Sequence, residues 1–192
     1  MKVVFLDRDG VINRDSNEYV KSWNEFEFLP RSLDALVLLA ANGYSPVVIT
    51  NQSGIARGLF TPETLADMHA NMKREVEAAG GRLAGIYHCP HHPDDNCDCR
   101  KPEPGLLLAA ARDLGVDLAA TTMVGDTLKD VGAGKRAGCA ATVLVRTGMG
   151  ERSLARLERK GGPGPSNVAE DLYDAVQWIL AARPGADARQ GM

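Results

Sequence analysis

Five short runs, each largely apolar, recur along the chain at residues 3–6, 46–50, 85–89, 122–125 and 140–145. They are too short for buried helices and carry β-branched residues, so they read as strands covered on both faces. The segments between them show a different period. Pro30 opens a helix in which Leu33, Leu36, Val37 and Ala40 share one face, and Asn42-Gly43 closes it. Thr61 and Pro62 stand as N-cap and first residue of a helix with the stripe Leu65, Met68, Met72, Val76 and Ala79. Further helices are predicted from Pro104 to Leu114, from Leu128 to Ala137, and through Leu172, Val176, Ile179 and Leu180. Alternating buried strands and amphipathic helices predict an α/β fold with a doubly wound parallel sheet. One domain over residues 1–183 is expected, with residues 184–192 a frayed tail. Residues 13–29 read as a long polar loop, and 147–167 as a loop with one short helix. His69 lies beside the apolar stripe of its helix and reads as a boundary or surface residue.

In a parallel sheet the carboxyl ends of all strands lie along one edge, where α/β proteins place their chemistry. Here that edge collects Asp7 and Asp9 after the first strand, Thr50 after the second, Arg100-Lys101 beyond the third, and Asp126 with Asp130 after the fourth. Several carboxylates in one place repel and raise one another's pKa. A hard divalent cation such as Mg²⁺ removes the conflict, takes oxygen ligands and leaves room for a substrate phosphate. With a lysine, a hydroxyl and turn amides near Asn51-Gln52-Ser53, the set forms a receptor for a phosphoryl group. One carboxylate can attack phosphorus and the second, two residues on, can trade protons with the leaving oxygen and water. Asp130 reads either as a further metal ligand or as an acid in the first turn of a helix, where the macrodipole favours it.

These motifs resemble those of the haloacid dehalogenase (HAD) superfamily. Asp7-Arg8-Asp9-Gly10-Val11 matches its D-x-D-x-[TV], Thr50 its second motif, Lys101 its third, and Gly125-Asp126-Thr127-Leu128-Lys129-Asp130 its G-D-x-x-x-D. The resemblance implies a catalytic set of Asp7 as nucleophile, Asp9 as general acid/base, and Thr50 and Lys101 on the phosphoryl oxygens. It implies Mg²⁺ held by Asp7, Asp126 and the backbone carbonyl of Asp9. An acid two residues after the nucleophile marks the phosphatase branch. The gaps between motifs leave no room for an inserted cap domain, so an open site is expected, walled by loops.

One loop has its own signature. Cys89-Pro90-His91-His92 and Cys97-Asp98-Cys99 give C-x-H-x5-C-x-C, which suits a tetrahedral, structural Zn²⁺ site of Cys89, His91, Cys97 and Cys99. His92 is an alternative to His91 by spacing. Neighbouring C-x-C cysteines bridge only with strain, which disfavours a disulfide. Cys139 reads as a small core residue. Zinc in this loop would stiffen the approach to Lys101.

Longer stretches, residues 5–13, 49–58, 89–93 and 97–102, resemble the D-glycero-D-manno-heptose 1,7-bisphosphate 7-phosphatases, which make heptose precursors of lipopolysaccharide core. That resemblance implies a sugar bisphosphate substrate that loses its 7-phosphate. It implies substrate contacts from Asp15, Tyr19, Asn51, Gln52, Ser53 and Arg100. Thr127 stands where some of these enzymes carry a lysine near the distal phosphate. Histidinol-phosphate phosphatases of the same capless, zinc-loop plan are the nearest competing family, and a non-catalytic zinc-loop binding module is the competitor from another class. The formal net charge of −3 gives no basic footprint for nucleic acid or anionic membrane. No run approaches the ~20 apolar residues of a membrane span. The first strand begins at once, so no signal peptide is expected. A monomer in the cytoplasm is the expectation.

Overall fold

A computed structural model describes residues 1–182. Six strands form one sheet in the order β3-β2-β1-β4-β5-β6, and every pair is parallel. They are β1 (Lys2–Leu6), β2 (Tyr44–Asn51), β3 (Gly85–Cys89), β4 (Thr122–Gly125), β5 (Ala141–Val145) and β6 (Asn167–Ala169). The helices are α1 (Ser32–Ala41), α2 (Pro62–Ala78), α3 (Gly105–Leu114), α4 (Leu128–Ala137), α5 (Gly150–Lys160) and α6 (Leu172–Ala181). Alternation along the strands divides the core into two layers. Val4, Leu6, Val48 and Val124 pack with Leu36 and Leu39 of α1, Met72 and Val76 of α2, and Val176 and Ile179 of α6. Val3, Phe5, Val47, Ile49 and Met123 face the other way, onto Leu107 and Ala110 of α3 and Ala133 and Ala137 of α4. That is the doubly wound architecture, and no cap domain is inserted among the described residues. No helix there is long and apolar enough to cross a membrane.

The local signals behave as their chemistry dictates. The Thr61 hydroxyl accepts from the Thr64 amide at 3.2 Å, with Pro62 at the first helical position. Gly43, Gly115 and Gly138 follow their helices with positive φ. Three expectations need correction and a fourth is extended. α1 starts at Ser32, not Pro30, because Arg31 takes a left-handed conformation (φ 63°) and reaches Asp171 and Asp174 at 3.1 and 2.7 Å. The segment 147–167 holds an eleven-residue helix, α5, and runs into a sixth strand. The helix is longer than the short one expected and the strand was not expected, because α5 buries only Gly150 and Ser153 and β6 is three residues long at the sheet edge. The long loop 13–29 is anchored: Val20 is buried among Phe60, Leu65 and Met68, with Tyr19, Trp23 and Phe26 against them. Finally, His69 is buried, at 8% exposure. The expected frayed tail, 184–192, lies outside the described residues.

Candidate active site

The strand order reverses between β1 and β4, and the crevice beyond that switch point is where open α/β sheets bind ligands. Asp7 follows β1 and Asp126 follows β4. The Asp7 amide donates to the Val124 carbonyl at 2.9 Å, so the two acidic strand ends are stitched together. The turn after Asp9 needs glycine twice over. Gly10 has φ +78°, and a β-carbon there would stand 2.2 Å from Asp126 Oδ2. The same Oδ2 accepts from the Met149 amide at 2.8 Å, and the Ser153 hydroxyl donates to the Asp126 carbonyl at 3.0 Å.

Lys101 enters this cluster from beneath. Its Nζ lies 2.8 Å from Asp7 Oδ2 and 2.6 Å from Asp130 Oδ1, and donates to the Ile49 carbonyl at 2.8 Å. Its backbone is held by Asn51, whose side-chain carbonyl accepts from the Lys101 amide (3.1 Å) and whose amide donates to the Lys101 carbonyl (3.2 Å). Asp130 also caps its own helix: Oδ2 accepts from the Thr127 amide at 2.9 Å and hydroxyl at 2.6 Å. Gly125 leaves room for Asp130, since a β-carbon there would lie 2.1 Å from the Asp130 Cβ. One lysine does not balance three carboxylates. Burial, offset in part by Lys101 and aggravated by Asp130, pushes Asp7 up to about 7. Burial, with Asp130 and Asp7 beside it, pushes Asp126 up to about 8. Burial works to lower the Lys101 pKa, but Asp130 and Asp7 outweigh it and hold the ammonium charged. Oxygens of Asp7, Asp126 and Asp130 lie within 4.8 Å of one another. An all-oxygen donor set with surplus negative charge fits a hard divalent cation.

Asp9 is treated differently. Its Oδ1 accepts from Arg8 Nη2 at 3.0 Å and Asn13 at 2.9 Å, and its Oδ2 from Gln52 at 2.9 Å. Burial works to raise its pKa, but Arg8, Asn13 and Gln52 together bring it below the ordinary carboxylate value. Gln52 also donates to the Thr50 hydroxyl at 2.9 Å. The site therefore holds two kinds of acid side by side: a charge-starved pair and one carboxylate that keeps its charge. A phosphoryl group set among them meets a nucleophile, an ammonium and a separate proton carrier.

Every residue expected at the active site lines this one cleft: Asp7, Asp9, Thr50, Lys101 and Asp126 at its floor, with Asp15, Tyr19, Asn51, Gln52, Ser53, Arg100 and Thr127 around it. Tyr19 carries its ring on a left-handed residue (φ 65°) and lies 3.4 Å from the Ser53 hydroxyl. Cys89, His91, Cys97 and Cys99 form a separate group behind the rim, with ligand atoms within 4.8 Å of one another. The pairs Cys89–Cys97, Cys97–Cys99, Cys89–His91 and His91–Cys99 stand 3.6, 3.5, 3.6 and 3.2 Å apart. Bonds of about 2.3 Å to sulfur give tetrahedral edges of about 3.8 Å, so the four atoms suit zinc. All the cysteines are free thiols. His92 drops out as a ligand, because its Nδ1 accepts from the Asp94 amide and caps a short turn. From the same loop, Arg100 Nη1 donates to the His91 carbonyl at 3.4 Å.

Sequence reasoning missed Arg8, Asn13, Lys129 and Met149. Lys129 lines the cleft from the first turn of α4, as Arg100 does from the cysteine loop. Its signal was available, since it lies inside the fourth motif two residues after Thr127. Nothing in the sequence announces that Arg8, placed between two cleft acids, turns its side chain back into the protein.

The HAD-hydrolase-like family model matches residues 98–175. The D-glycero-beta-D-manno-heptose-1,7-bisphosphate 7-phosphatase of Bordetella bronchiseptica is 46% identical over 94% of this chain and 98% of its own. The enzyme of the same name from Pseudomonas aeruginosa is 45% identical over 93% of this chain and 97% of its own. The crystal structure of D,D-heptose 1,7-bisphosphate phosphatase from B. bronchiseptica, complexed with magnesium and phosphate, superposes with a TM-score of 0.89 at 45% identity, covering 95% of this chain and 100% of that one. The corresponding structure from Burkholderia thailandensis gives 0.72 at 38% identity, covering 94% and 99%.

Proposed function

This chain belongs to the D-glycero-β-D-manno-heptose-1,7-bisphosphate 7-phosphatase family of HAD-like hydrolases, and on that basis we propose that it removes the 7-phosphate of the heptose 1,7-bisphosphate through an aspartyl-phosphate. The observation that carries the reading is the placement of Lys101 Nζ 2.8 Å from Asp7 Oδ2 while Asp9, two residues on, is held by a different set of donors.

Asp7 attacks phosphorus, its new O–P bond replacing the bond to the sugar's O7. Lys101 and Thr50 hold the phosphoryl oxygens. Asp9 gives its proton to the departing alkoxide. The resting Asp9 is ionised, and a phosphate arriving beside it brings like charge that favours its protonated form. In the second half, Asp9 takes a proton from water as that water attacks phosphorus, and the Asp7 carboxylate is released with inorganic phosphate. Asp7, Asp126 and the backbone carbonyl of Asp9 would hold Mg²⁺, which supplies charge neutralisation at the phosphoryl group. Asp130 holds the Lys101 ammonium at 2.6 Å through Oδ1 and stands in the same oxygen cluster as Asp7 and Asp126. Cys89, His91, Cys97 and Cys99 would hold Zn²⁺, which would fix the loop that carries Arg100 and Lys101.

Arg100 and Lys129 stand on the cleft wall as cations for the distal phosphate, Lys129 taking up the role that Thr127 cannot fill. The relatives are named for the β anomer, and the β-configured bisphosphate is the substrate assigned here. Thiols that ligate zinc need a reducing compartment, which fits the cytoplasm, and we read the active unit as a monomer. The test is a substrate panel of both heptose 1,7-bisphosphate anomers and histidinol phosphate. The β anomer should be turned over fastest and Asp7→Asn should abolish turnover while leaving the fold intact. Faster turnover of histidinol phosphate would overturn the assignment.

A further inference from the structure

Arg8 is the largest fully buried side chain among the described residues, at 1% exposure. Its chain neighbours Asp7 and Asp9 both reach the cleft, yet its guanidinium turns inward. On one side Nε and Nη2 donate to Asp9 at 3.2 and 3.0 Å. On the other, Nη1 lies 3.3 Å from Nε2 of His69, and the Phe26 ring centroid stands 5.9 Å from Cζ. His69 belongs to the inward stripe of α2, otherwise filled by Leu65, Met68, Met72 and Val76. An apolar residue would fill that position as well. A buried imidazole costs desolvation unless its nitrogen is used. The use visible here is as an acceptor for Arg8.

We infer that His69 is a positioning residue for proton transfer: by anchoring the far side of the Arg8 fork it aims the Asp9 carboxyl at the leaving oxygen. The inference rests on the reading of Asp9 as the general acid/base. A guanidinium presents five N–H donors in a rigid plane, so fixing one edge fixes the other. Without a partner at Nη1, the long arginine side chain regains rotamers and the carboxyl it grips loses its angle. His69 must accept at Nε2, so its proton sits on Nδ1. The groups that face it keep it so: burial, then the Arg8 charge and the neighbouring His88, outweigh the pull of Asp9 and push its pKa down to about 3. The His88 ring meets it edge-on at 5.8 Å.

The experiment compares two substrates that need a proton to different degrees. The sugar bisphosphate releases an alkoxide and depends on the general acid. p-Nitrophenyl phosphate releases a stable phenolate and does not. The quantity read is kcat/KM, which reports steps only through departure of the leaving group. For His69→Leu it should fall at least about tenfold on the bisphosphate, a part of the general-acid contribution, and less than about threefold on the aryl ester. His69→Gln, whose side-chain carbonyl can accept from Nη1, should recover most of the loss. His69→Met repeats the comparison should His69→Leu fail to fold. Equal losses on both substrates, or a glutamine variant no better than leucine, would overturn the inference. Failure of the substrate reading is a separate result: wild-type protein that ignores the bisphosphate refutes that assignment, and the His69 comparison then runs on whichever alkyl phosphate it hydrolyses.

Discussion

Gly10 and Asp126 are in contact: a β-carbon on the glycine would stand 2.2 Å from the aspartate Oδ2, and the same glycine sits at φ +78°. The turn that separates Asp9 from the loop after it is therefore also the wall that keeps Asp126 in place. Gly10→Ala must move either the backbone or the carboxylate. The left-handed strain alone costs about 1 kcal/mol. Displacement of Asp126 should raise the magnesium concentration needed for half-maximal activity by about tenfold or more, a metal-ligand effect of the size that misplaced support residues produce. A magnesium titration of activity checks this, and an unchanged requirement would refute the role of Asp126.

The carboxylates at the floor make the metal-free protein sensitive to alkali. Asp7 and Asp126 have pKa values of about 7 and about 8, raised above those of the unfolded chain. The folded state thus binds more protons between about pH 4 and pH 8, and stability falls as pH rises through that window. Tm without magnesium should decline from pH 5 to pH 8.5. Magnesium displaces those protons, so the rise in Tm it produces should grow over the same range. Thermal denaturation with and without magnesium at each pH measures both, and a magnesium effect that shrinks toward alkaline pH would contradict the site.

The cysteine loop should hold one zinc per chain by elemental analysis. Cys97→Ser should lose that zinc and, by loosening Arg100 and Lys101, lower activity by about 10- to 100-fold. Magnesium affinity should change little, because no magnesium ligand sits in the loop. Native protein without zinc would end this account.

Arg100→Ala and Lys129→Ala should each raise KM for the bisphosphate by about tenfold, as expected for one charge-assisted hydrogen bond of about 1.5 kcal/mol. Turnover of a small monophosphate, which lacks the distal group, should be unaffected. Steady-state kinetics on the two substrates decides, and a parallel loss on both would place these cations at the reacting phosphate instead.

The acids and the hydroxyl on the floor of the cleft were legible in the sequence because they sit at strand ends, where β periodicity and turn residues mark the position. Asp7, Thr50 and Asp126 needed only their strands to be recognised. The residues that hold them were not legible. Arg8 and His69 meet across a long stretch of chain, and an inward-turned arginine has the same one-dimensional pattern as a solvated one. β6 and the full length of α5 were hidden for a related reason: β6 is three residues long and α5 buries only Gly150 and Ser153, so little apolar surface marks them. His91 and His92 were separable only once the geometry showed one ring among thiols and the other capping a turn.

The bond between the Asp7 amide and the Val124 carbonyl joins strands drawn from opposite halves of the chain. Asp7 is made well before Asp126, so the acidic cluster cannot exist on a chain that ends short of β4 and the residue after it. Magnesium has nothing to stabilise until the halves of the sheet have met. The ion then rewards only the completed assembly, and an early fragment that folds locally gains no spurious stability from the cell's magnesium.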